Sequence, residues 1–108
     1  MKEDNTFENN LIRIGQNAEE NHFIIKNSNQ NDIWFHLDKL PSCHVIISSN
    51  NQEITKNMIY YCADLVKNNT KYKNFKNVKV IYTEIKNIKC NDVKGAVIIK
   101  GKTKIINV

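Results

Sequence analysis

The chain has 108 residues and a formal net charge of +5 at neutral pH, with 41% hydrophobic and 25% charged residues. This length suits a single domain that folds without disulfide bonds, and the composition excludes a disordered chain and a collagen-like repeat. No apolar run approaches the roughly 20 residues of a membrane-spanning helix. The first ten residues are polar and acidic, unlike a secretory signal or a transit peptide. We therefore expect a cytoplasmic protein, with the nucleus as the other compartment.

The cysteine pattern supports a reducing compartment. Three cysteines are present, an odd number without Cys-x-x-Cys spacing: Cys43, Cys62 and Cys90. Such a pattern predicts reduced thiols rather than a disulfide framework.

Charge is distributed unevenly along the chain. Residues 1–66 carry five Lys or Arg and nine Asp or Glu, a balance of −4, whereas residues 67–108 carry eleven Lys and two Asp or Glu, a balance of +9. Clustered ammonium groups displace counterions from phosphate, so the basic part is typical of a surface that binds polyanions. The alternative is a biased genome in which the lysines only solubilise the surface.

Most of the chain has the alternation typical of β-strands. β-branched and alternating residues predict strands at 11–14, 22–26, 33–37, 44–48 and 78–83. We expect 22–26 to return as the second strand of a hairpin after a turn at 15–17, and the Asn- and Ser-rich residues 27–31 to form a loop. Residues 96–99 and 103–108 flank a Lys-Gly-Lys turn and are expected to form a final hairpin.

One segment has a helical period. Between residues 52 and 68 the apolar side chains that recur at helical spacing are Ile54, Met58, Ile59, Cys62, Leu65 and Val66. They predict one amphipathic helix packed on a sheet, ending near Lys67, where a cation meets the negative pole of the helix dipole. The sequence therefore predicts a single α+β domain, mainly an antiparallel sheet with one principal helix.

Residues 32–44 concentrate the rarer side chains. They contain the only Trp, the only Pro, two of the three His and one Cys. On a strand, alternate side chains project from opposite faces, so Trp34 and His36 share a face with Asp32. We expect the apolar residues between them to face the core, leaving Trp34 and His36 on a face that meets a partner.

Four interpretations of this segment are open. A metal site would draw on a set of five side chains whose spacing fits no zinc pattern: Asp32, His36, Asp38, Cys43 and His44. A nucleophilic pair of Cys43 and His44 is opposed by the divergence of neighbouring side chains on a strand. The third interpretation is a surface that stacks on nucleotides, with lysines on the backbone. In the fourth, the aromatic and imidazole groups only pack and hydrogen-bond inside the fold.

Several motifs, in order and at matching distances, resemble the NFACT-R domain. They are Gly15-x-Asn17 with Glu20-Asn21, Asp32-Ile-Trp-Phe-His36, Pro41-x-x-His44-Val45 and Asn77-Val78-x-Val80-x-Tyr82-Thr83. That domain is the C-terminal module of the NFACT proteins of ribosome-associated quality control, and it also occurs alone in small eukaryotic coiled-coil-domain proteins. The resemblance runs from about Leu11 to the end. We therefore divide the chain into a polar N-terminal extension, 1–10, and an NFACT-R-like domain, 11–108.

The resemblance implies nucleic-acid binding without catalysis or a cofactor, and a link to translation or the large ribosomal subunit. The motif residues to which we assign structural roles are Gly15, Asn17, Asn21, Asp32, Pro41 and Tyr82. Gln16 stands where the long NFACT proteins usually have an arginine, which weakens any phosphate contact there. Cys43 and Cys90 stand where the family has a small residue and often a lysine, so neither thiol is expected to be functional.

These observations predict a non-enzymatic module for RNA, either tRNA or ribosomal RNA, in a translation-associated complex. Trp34, His36 and His44 are expected to make shape or base contacts. Sequence-independent phosphate contacts are assigned to five lysines: Lys67, Lys71, Lys73, Lys76 and Lys79. The alternative is an adaptor that docks onto a ribosome-associated or other protein. An enzyme is the third choice, because no HExxH, glycine-rich phosphate loop or Gly-x-Ser-x-Gly motif is present.

Asp32 and His36 are expected to act together. Asp32 either accepts backbone N–H groups or holds the imidazole of His36 through a charge-assisted bond. The second arrangement would make His36 more basic, and therefore cationic near neutral pH. We expect the structural role to dominate for Trp34 and the functional role for His36.

Overall fold

The computed structural model describes residues 1–90 and 96–108. Its helices are α1 (Ala18–Lys26) and α2 (Lys56–Asn68), and a 3-10 helix covers Ile85–Asn87. Its strands are β1 (Lys2–Asp4), β2 (Ile12–Gly15), β3 (Ile33–Leu37), β4 (His44–Ile47), β5 (Lys79–Glu84), β6 (Ile88–Cys90), β7 (Val97–Ile99) and β8 (Lys104–Asn107).

Six of these strands form one antiparallel sheet. Its order is β1-β2-β4-β3-β5-β8, and β6 and β7 form a second, two-stranded sheet. β3 lies near the centre, where Trp34 is opposite Ile46 on β4 and Thr83 on β5. The predicted α+β class, mainly antiparallel with α2 as the principal helix, is confirmed.

The large sheet is covered on both faces. On one face, Phe35 and Val45 pack in a buried cluster with Cys62 and Val66 of α2. On the other face, a second cluster joins Trp34 to α1, the 3-10 helix and β6, with Val97 of β7 packed against it. The side-chain alternation predicted for β3 therefore holds, but both of its faces are buried.

The strand predicted at 22–26 is wrong, because these residues belong to α1. The cause is a side-chain cap at the helix start. Asn17 Oδ1 accepts from the Glu20 backbone N–H over 2.9 Å, and Glu20 Oε1 accepts from the Gln16 backbone N–H over 3.0 Å. The first bond satisfies an amide group that a helix start leaves unpaired, and the second ties the preceding residue to the first turn. The helix then buries Ile24 and Ile25 against the sheet.

The helix predicted in the middle of the chain is confirmed, and its apolar stripe packs on the sheet. It begins at Lys56 rather than at residue 52, because the Thr55 hydroxyl caps it by accepting from the Met58 backbone N–H over 3.3 Å. It ends at Asn68, and the backbone N–H of the next residue, Asn69, bonds the Leu65 carbonyl over 3.2 Å.

The final hairpin is wrong in its pairing, although both strands form. β7 pairs with β6, and β8 pairs with β5. Two backbone bonds between Val78 and Val108, of 2.8 and 2.9 Å, extend the β5–β8 pairing. Ile106 of β8 packs against the buried cluster under α2, so this pairing buries apolar surface.

The first ten residues take part in the same sheet. Lys2 of β1 is opposite Ile14 of β2. The Tyr61 hydroxyl of α2 donates to the carboxylate of Asp4 over 2.7 Å. The residues that the sequence set apart as an extension therefore contribute an edge strand.

Candidate nucleic-acid interface

Residues at the ends of four strands meet at one end of the large sheet. Gly15 at the end of β2 is opposite His44 at the start of β4. Leu37 at the end of β3 is opposite Val80, and the Asp38 backbone N–H bonds the Lys79 carbonyl over 3.0 Å. We term this the histidine end, defined by Gly15, Leu37, His44 and Lys79.

A cavity of about 470 Å³ opens at the histidine end. Five of the residues predicted for the site line it: Asn17, Asn21, His36, Pro41 and His44. Gln16 and Asn69 also line it, and the Asn69 side chain accepts from the Lys2 ammonium over 3.2 Å. The structure therefore brings together motif residues from α1, β3 and β4, beside the end of α2.

Three aromatic side chains pack together beside this cavity, and two of them, His36 and His44, line it. The Trp34 indole Nε1–H donates to Nδ1 of His44 over 3.0 Å. The His36 ring stacks on Trp34, with 5.6 Å between centroids, and meets His44 edge-on at 4.8 Å. Nδ1 of His36 lies 2.6 Å from the Leu37 carbonyl oxygen, to which it donates. Trp34 is only 2% exposed, so the expectation of an exposed Trp34 is wrong, because α1 and the second sheet cover it.

Both imidazoles are neutral at pH 7. Burial, together with the neighbouring His36, lowers the pKa of His44 to about 3. Burial also lowers the pKa of His36, against the opposing effect of its bond to the Leu37 carbonyl. The expectation of a cationic His36 is therefore wrong, because burial disfavours its charge and, within the described residues, no carboxylate bonds its ring.

Asp32 and Tyr82 lie away from the histidine end. The Asp32 carboxylate accepts from the backbone N–H groups of Asn29 and Ser49 over 2.8 and 3.0 Å. Of the two roles expected for Asp32, the structure shows the first, and the bond to His36 is not formed. Tyr82 stacks on Phe35 beneath α2, with 5.4 Å between centroids.

The Cys43 side chain is directed away from His44. It packs in the buried cluster under α2, and its thiol donates to the Val66 carbonyl over 3.8 Å. Burial raises the pKa of Cys43 to about 11. The thiol therefore stays protonated at neutral pH, which opposes the nucleophilic pair.

The predicted lysines lie on residues 67–79, which we term the basic segment. Lys67 is half-buried in the last turn of α2, and the others are exposed. The ion pairs found within the described residues are those of Glu20 with the N-terminus and of Glu84 with Lys86. No carboxylate in that part of the chain therefore neutralises the basic segment.

Phe75 is a candidate contact that the sequence analysis missed. It is 58% exposed, and its ring meets Tyr72 edge-on at 5.3 Å. The Lys71 ammonium lies 5.4 Å from the centre of the Tyr72 ring. Aromatic residues between lysines form the usual stacking surface for nucleotide bases, and the run Lys-Tyr-Lys-Asn-Phe-Lys was the visible signal.

Within residues 1–90 and 96–108, no group of three or more His, Cys, Asp or Glu side chains is placed to hold a metal ion. Neither helix of that part of the chain is long and apolar enough to cross a membrane.

Comparison with known families agrees with this geometry. The sequence profile of the NFACT protein RNA binding domain matches residues 2–107. The chain belongs to this family. Its membership supports a nucleic-acid-binding role for the NFACT-R domain described here.

Two curated relatives are both coiled-coil domain-containing protein 25. The chain is 36% identical to the protein of Danio rerio and 39% identical to that of Bos taurus, each over 83 residues. Each alignment covers 72% of this chain and 40% of the relative. The NFACT-R chain therefore matches less than half the length of these relatives.

A solved structure shares the fold. It is the C-terminal part of the fibronectin/fibrinogen-binding protein from Streptococcus suis, with a TM-score of 0.82. The match covers 92% of this chain and 40% of that one, at 24% sequence identity. At this identity the likeness establishes the architecture alone.

Proposed function

We propose that this domain is a non-enzymatic RNA-binding module that acts in a translation-associated complex. The observation that carries the proposal is the basic segment, whose lysines have no carboxylate partner among the described residues. Unpaired ammonium groups release counterions when they meet phosphate, and this release drives sequence-independent binding. Family membership supports the same function, and the link to translation rests on the resemblance to the NFACT proteins.

The two imidazoles supply a different kind of contact. His44 accepts from Trp34 at Nδ1, so its proton lies on Nε2, which is a donor. His36 donates to Leu37 at Nδ1, so its Nε2 is an acceptor. The cavity wall therefore offers one donor and one acceptor without charge. A ribose 2′-hydroxyl both donates and accepts, which favours RNA over DNA as the ligand.

Binding measured against salt tests the proposal. A tRNA and a ribosomal RNA hairpin would be titrated with the protein from about 50 to about 200 mM salt. If the five lysines meet phosphate, the slope of log affinity against log salt is roughly −3.5 to −4.5, at 0.7 to 0.9 for each phosphate neutralised. A flat slope, or no binding at the lowest salt, would contradict the proposal.

The second candidate function is a protein-interaction adaptor, which exposed apolar side chains on β7 and β8 favour. Ile98, Ile99 and Ile105 are 49%, 39% and 52% exposed. Capture of partners from a lysate, with and without nuclease, separates the two functions. Partners retained after the RNA is destroyed favour the adaptor, and partners that are lost favour the RNA module.

A further inference from the structure

A cavity of about 760 Å³ lies at the end of the sheet opposite the histidine end. Its walls come from the last residues of β5, from residues 49–54 between β4 and α2, and from residues 102–104 that lead into β8. We term it the second cavity. It shares no lining residue with the cavity beside His44, so it is a separate place for a ligand.

Strand register and side-chain bonds hold the walls of the second cavity in place. Tyr82 is opposite Lys104, and Glu84 is opposite Ile33, so these four side chains share one face of the sheet. The Thr83 hydroxyl donates to the Lys102 carbonyl over 2.7 Å. The segment that carries Lys102 is thereby tied to β5, and the backbone of Lys104 is held opposite Tyr82 by the strand pairing.

The lining of the second cavity combines aromatic, apolar, carboxamide and ammonium groups. Tyr82 and neighbouring isoleucines give an aromatic and apolar wall, while Asn51 and Gln52 contribute carboxamides. Lys102 and Lys104 contribute two ammonium groups. Within the described residues, no hydrogen bond or ion pair occupies the side chains of these two carboxamides and two lysines. They are therefore available to a ligand.

Glu84 is the acidic member of the lining. Its carboxylate lies 3.6 Å from the Lys86 ammonium. A bare anion would be opposed by this carboxylate, and a purely apolar ligand would leave the carboxamides and ammonium groups without partners. The ligand must therefore present an aromatic part, hydroxyl donors and a negative group together.

We propose that the second cavity binds a single nucleotide. The base lies against Tyr82, and its edge is hydrogen-bonded by Asn51 and Gln52, the side chains that suit base edges. The ribose hydroxyls donate to Glu84, as they do to carboxylates in dinucleotide sites, and the phosphate lies between the two lysines. The volume is within the usual range for small-molecule sites. A free mononucleotide and an unpaired nucleotide of an RNA loop share this chemistry, and the RNA source rests on the function proposed above.

Titration with AMP, GMP, CMP and UMP, followed by backbone amide NMR shifts, tests the site. Two variants damage it: Gln52→Trp, which places a bulky ring at an exposed rim position, and the double variant Lys102→Ala/Lys104→Ala. The matched control is Lys89→Ala/Lys100→Ala, which removes the same charge from exposed positions outside the cavity. We expect both cavity variants to lose affinity at least about tenfold and the control to bind like the unchanged protein.

Inorganic phosphate and adenosine, used alone, define the specificity. Each is expected to bind more weakly than AMP, because each satisfies only part of the lining. Phosphate that binds as tightly as AMP would overturn the proposal and leave a simple anion site.

A second arm identifies the source of the nucleotide. A hairpin RNA with an unpaired loop is compared with a fully paired duplex. If RNA supplies the nucleotide, Gln52→Trp weakens binding of the hairpin and leaves the duplex unchanged. If only mononucleotide binding is lost in the variant, the site stands and its ligand is a free nucleotide. If no mononucleotide shifts the cavity signals and neither RNA responds to Gln52→Trp, the proposal is overturned, while RNA binding by the unchanged protein would leave the proposed function intact.

Discussion

Trp34 and His44 are joined by a buried hydrogen bond, in which the indole Nε1–H donates to the imidazole Nδ1 over 3.0 Å. The His44 backbone N–H also donates to Oδ1 of Asn21 over 3.3 Å. His44 is thus held by its ring and by its backbone, from β3 and from α1. A polar pair inside an apolar layer orients the ring, since any other rotamer would leave both groups without partners.

Replacing Trp34 by Phe tests this bond. The change removes the donor, leaves His44 Nδ1 unpaired, and is expected to lower the free energy of unfolding by about 1–3 kcal/mol. Urea denaturation measures it. In a His44→Leu background the same change should lower the free energy of unfolding by less, because no imidazole acceptor is left without a partner. Equal costs in the two backgrounds would show that the bond contributes nothing.

The neutral state of His44 predicts loss of stability in mild acid. The unfolded ring has its ordinary pKa of 6.5, and the folded ring has a pKa of about 3. Between these values the unfolded chain binds a proton that the folded chain does not, so the free energy of unfolding falls as the pH falls below 6.5. The contribution is about 1.4 kcal/mol for each pH unit, or about 2 kcal/mol by about pH 5. Urea denaturation at pH 6.5 and at about pH 5 measures this loss of stability. Both values lie above the range in which most carboxyl groups titrate.

The control for this pH dependence is His44→Gln, which keeps an acceptor for the indole and does not titrate. The free energy of unfolding of this variant should fall less steeply as the pH falls, and the difference in slope should correspond to one proton. His36 also has a lowered pKa and remains in both proteins, so some slope should persist. Parallel profiles for the two proteins would contradict the assignment.

Gly15 permits the close approach of β2 and α1. A Cβ at this position would lie 2.9 Å from the Asn21 backbone nitrogen and even closer to its side-chain oxygen. Because Asn21 holds the His44 backbone, Gly15→Ala should displace that contact and cost about 1–3 kcal/mol of stability. Thermal or urea denaturation measures the loss. The adjacent exposed change Gln16→Ala is the control and should stay within about 0.5 kcal/mol, and an equally small effect of Gly15→Ala would contradict the prediction.

The parts of the fold that follow from local pattern could be predicted, and the parts that depend on distant contacts could not. Alternation placed Phe35 and Trp34 on opposite faces of β3. It could not show that Trp34 is covered, because the covering layer comes from α1 and the second sheet. For 22–26, a β-branched pair suggested a strand, although the Asn17 and Glu20 spacing was a visible helix start. The partner of β8 is chosen by apolar burial against β5, which no turn sequence specifies.

The candidate site was predictable in its members more than in its chemistry. The structure brings Asn17, Asn21 and Pro41 to the histidine end with the two imidazoles, whereas Asp32 and Tyr82 lie elsewhere. The charge of His36 could not be predicted, because it depends on burial and on which oxygen accepts from Nδ1. Phe75 gives no periodic signal in its short polar stretch, and only the alternation of aromatic residues with lysines at 71–76 indicates it as a contact.

Two lysines of the basic segment provide a test of phosphate contact. Lys73→Ala/Lys76→Ala should lower RNA affinity and make the salt slope shallower by roughly 1.5. Filter binding or fluorescence anisotropy at several salt concentrations measures both. The control, Lys26→Ala/Lys56→Ala, removes the same charge from exposed positions elsewhere and should leave the slope unchanged. Equal effects of the two variants would indicate a response to net charge alone.

Phe75 is expected to stack on a base. Phe75→Ala should weaken binding of an RNA hairpin by about 1–3 kcal/mol, the usual contribution of one stacked base. The stability cost should stay near or below about 1 kcal/mol, since the exposed Phe75 ring makes a single edge-on pair, with Tyr72. Phe75→Trp keeps an exposed aromatic face and should retain affinity. Affinity that Phe75→Ala retains in full would place Phe75 outside the interface.

The position of β3 in the sheet bears on how the chain emerges from a ribosome. Its pairing with β4 closes a short loop, whereas its pairing with β5 joins Trp34 to Thr83 across much of the chain. Closing the short β3–β4 hairpin costs less chain entropy than pairing β3 with β5, so we expect the β3–β5 pairing to form more slowly. Until β5 is synthesised, a nascent chain therefore presents the unpaired edge of a strand that is apolar on both faces. Such an edge is prone to pair with other chains, and it is covered in this domain only once β5 has been synthesised.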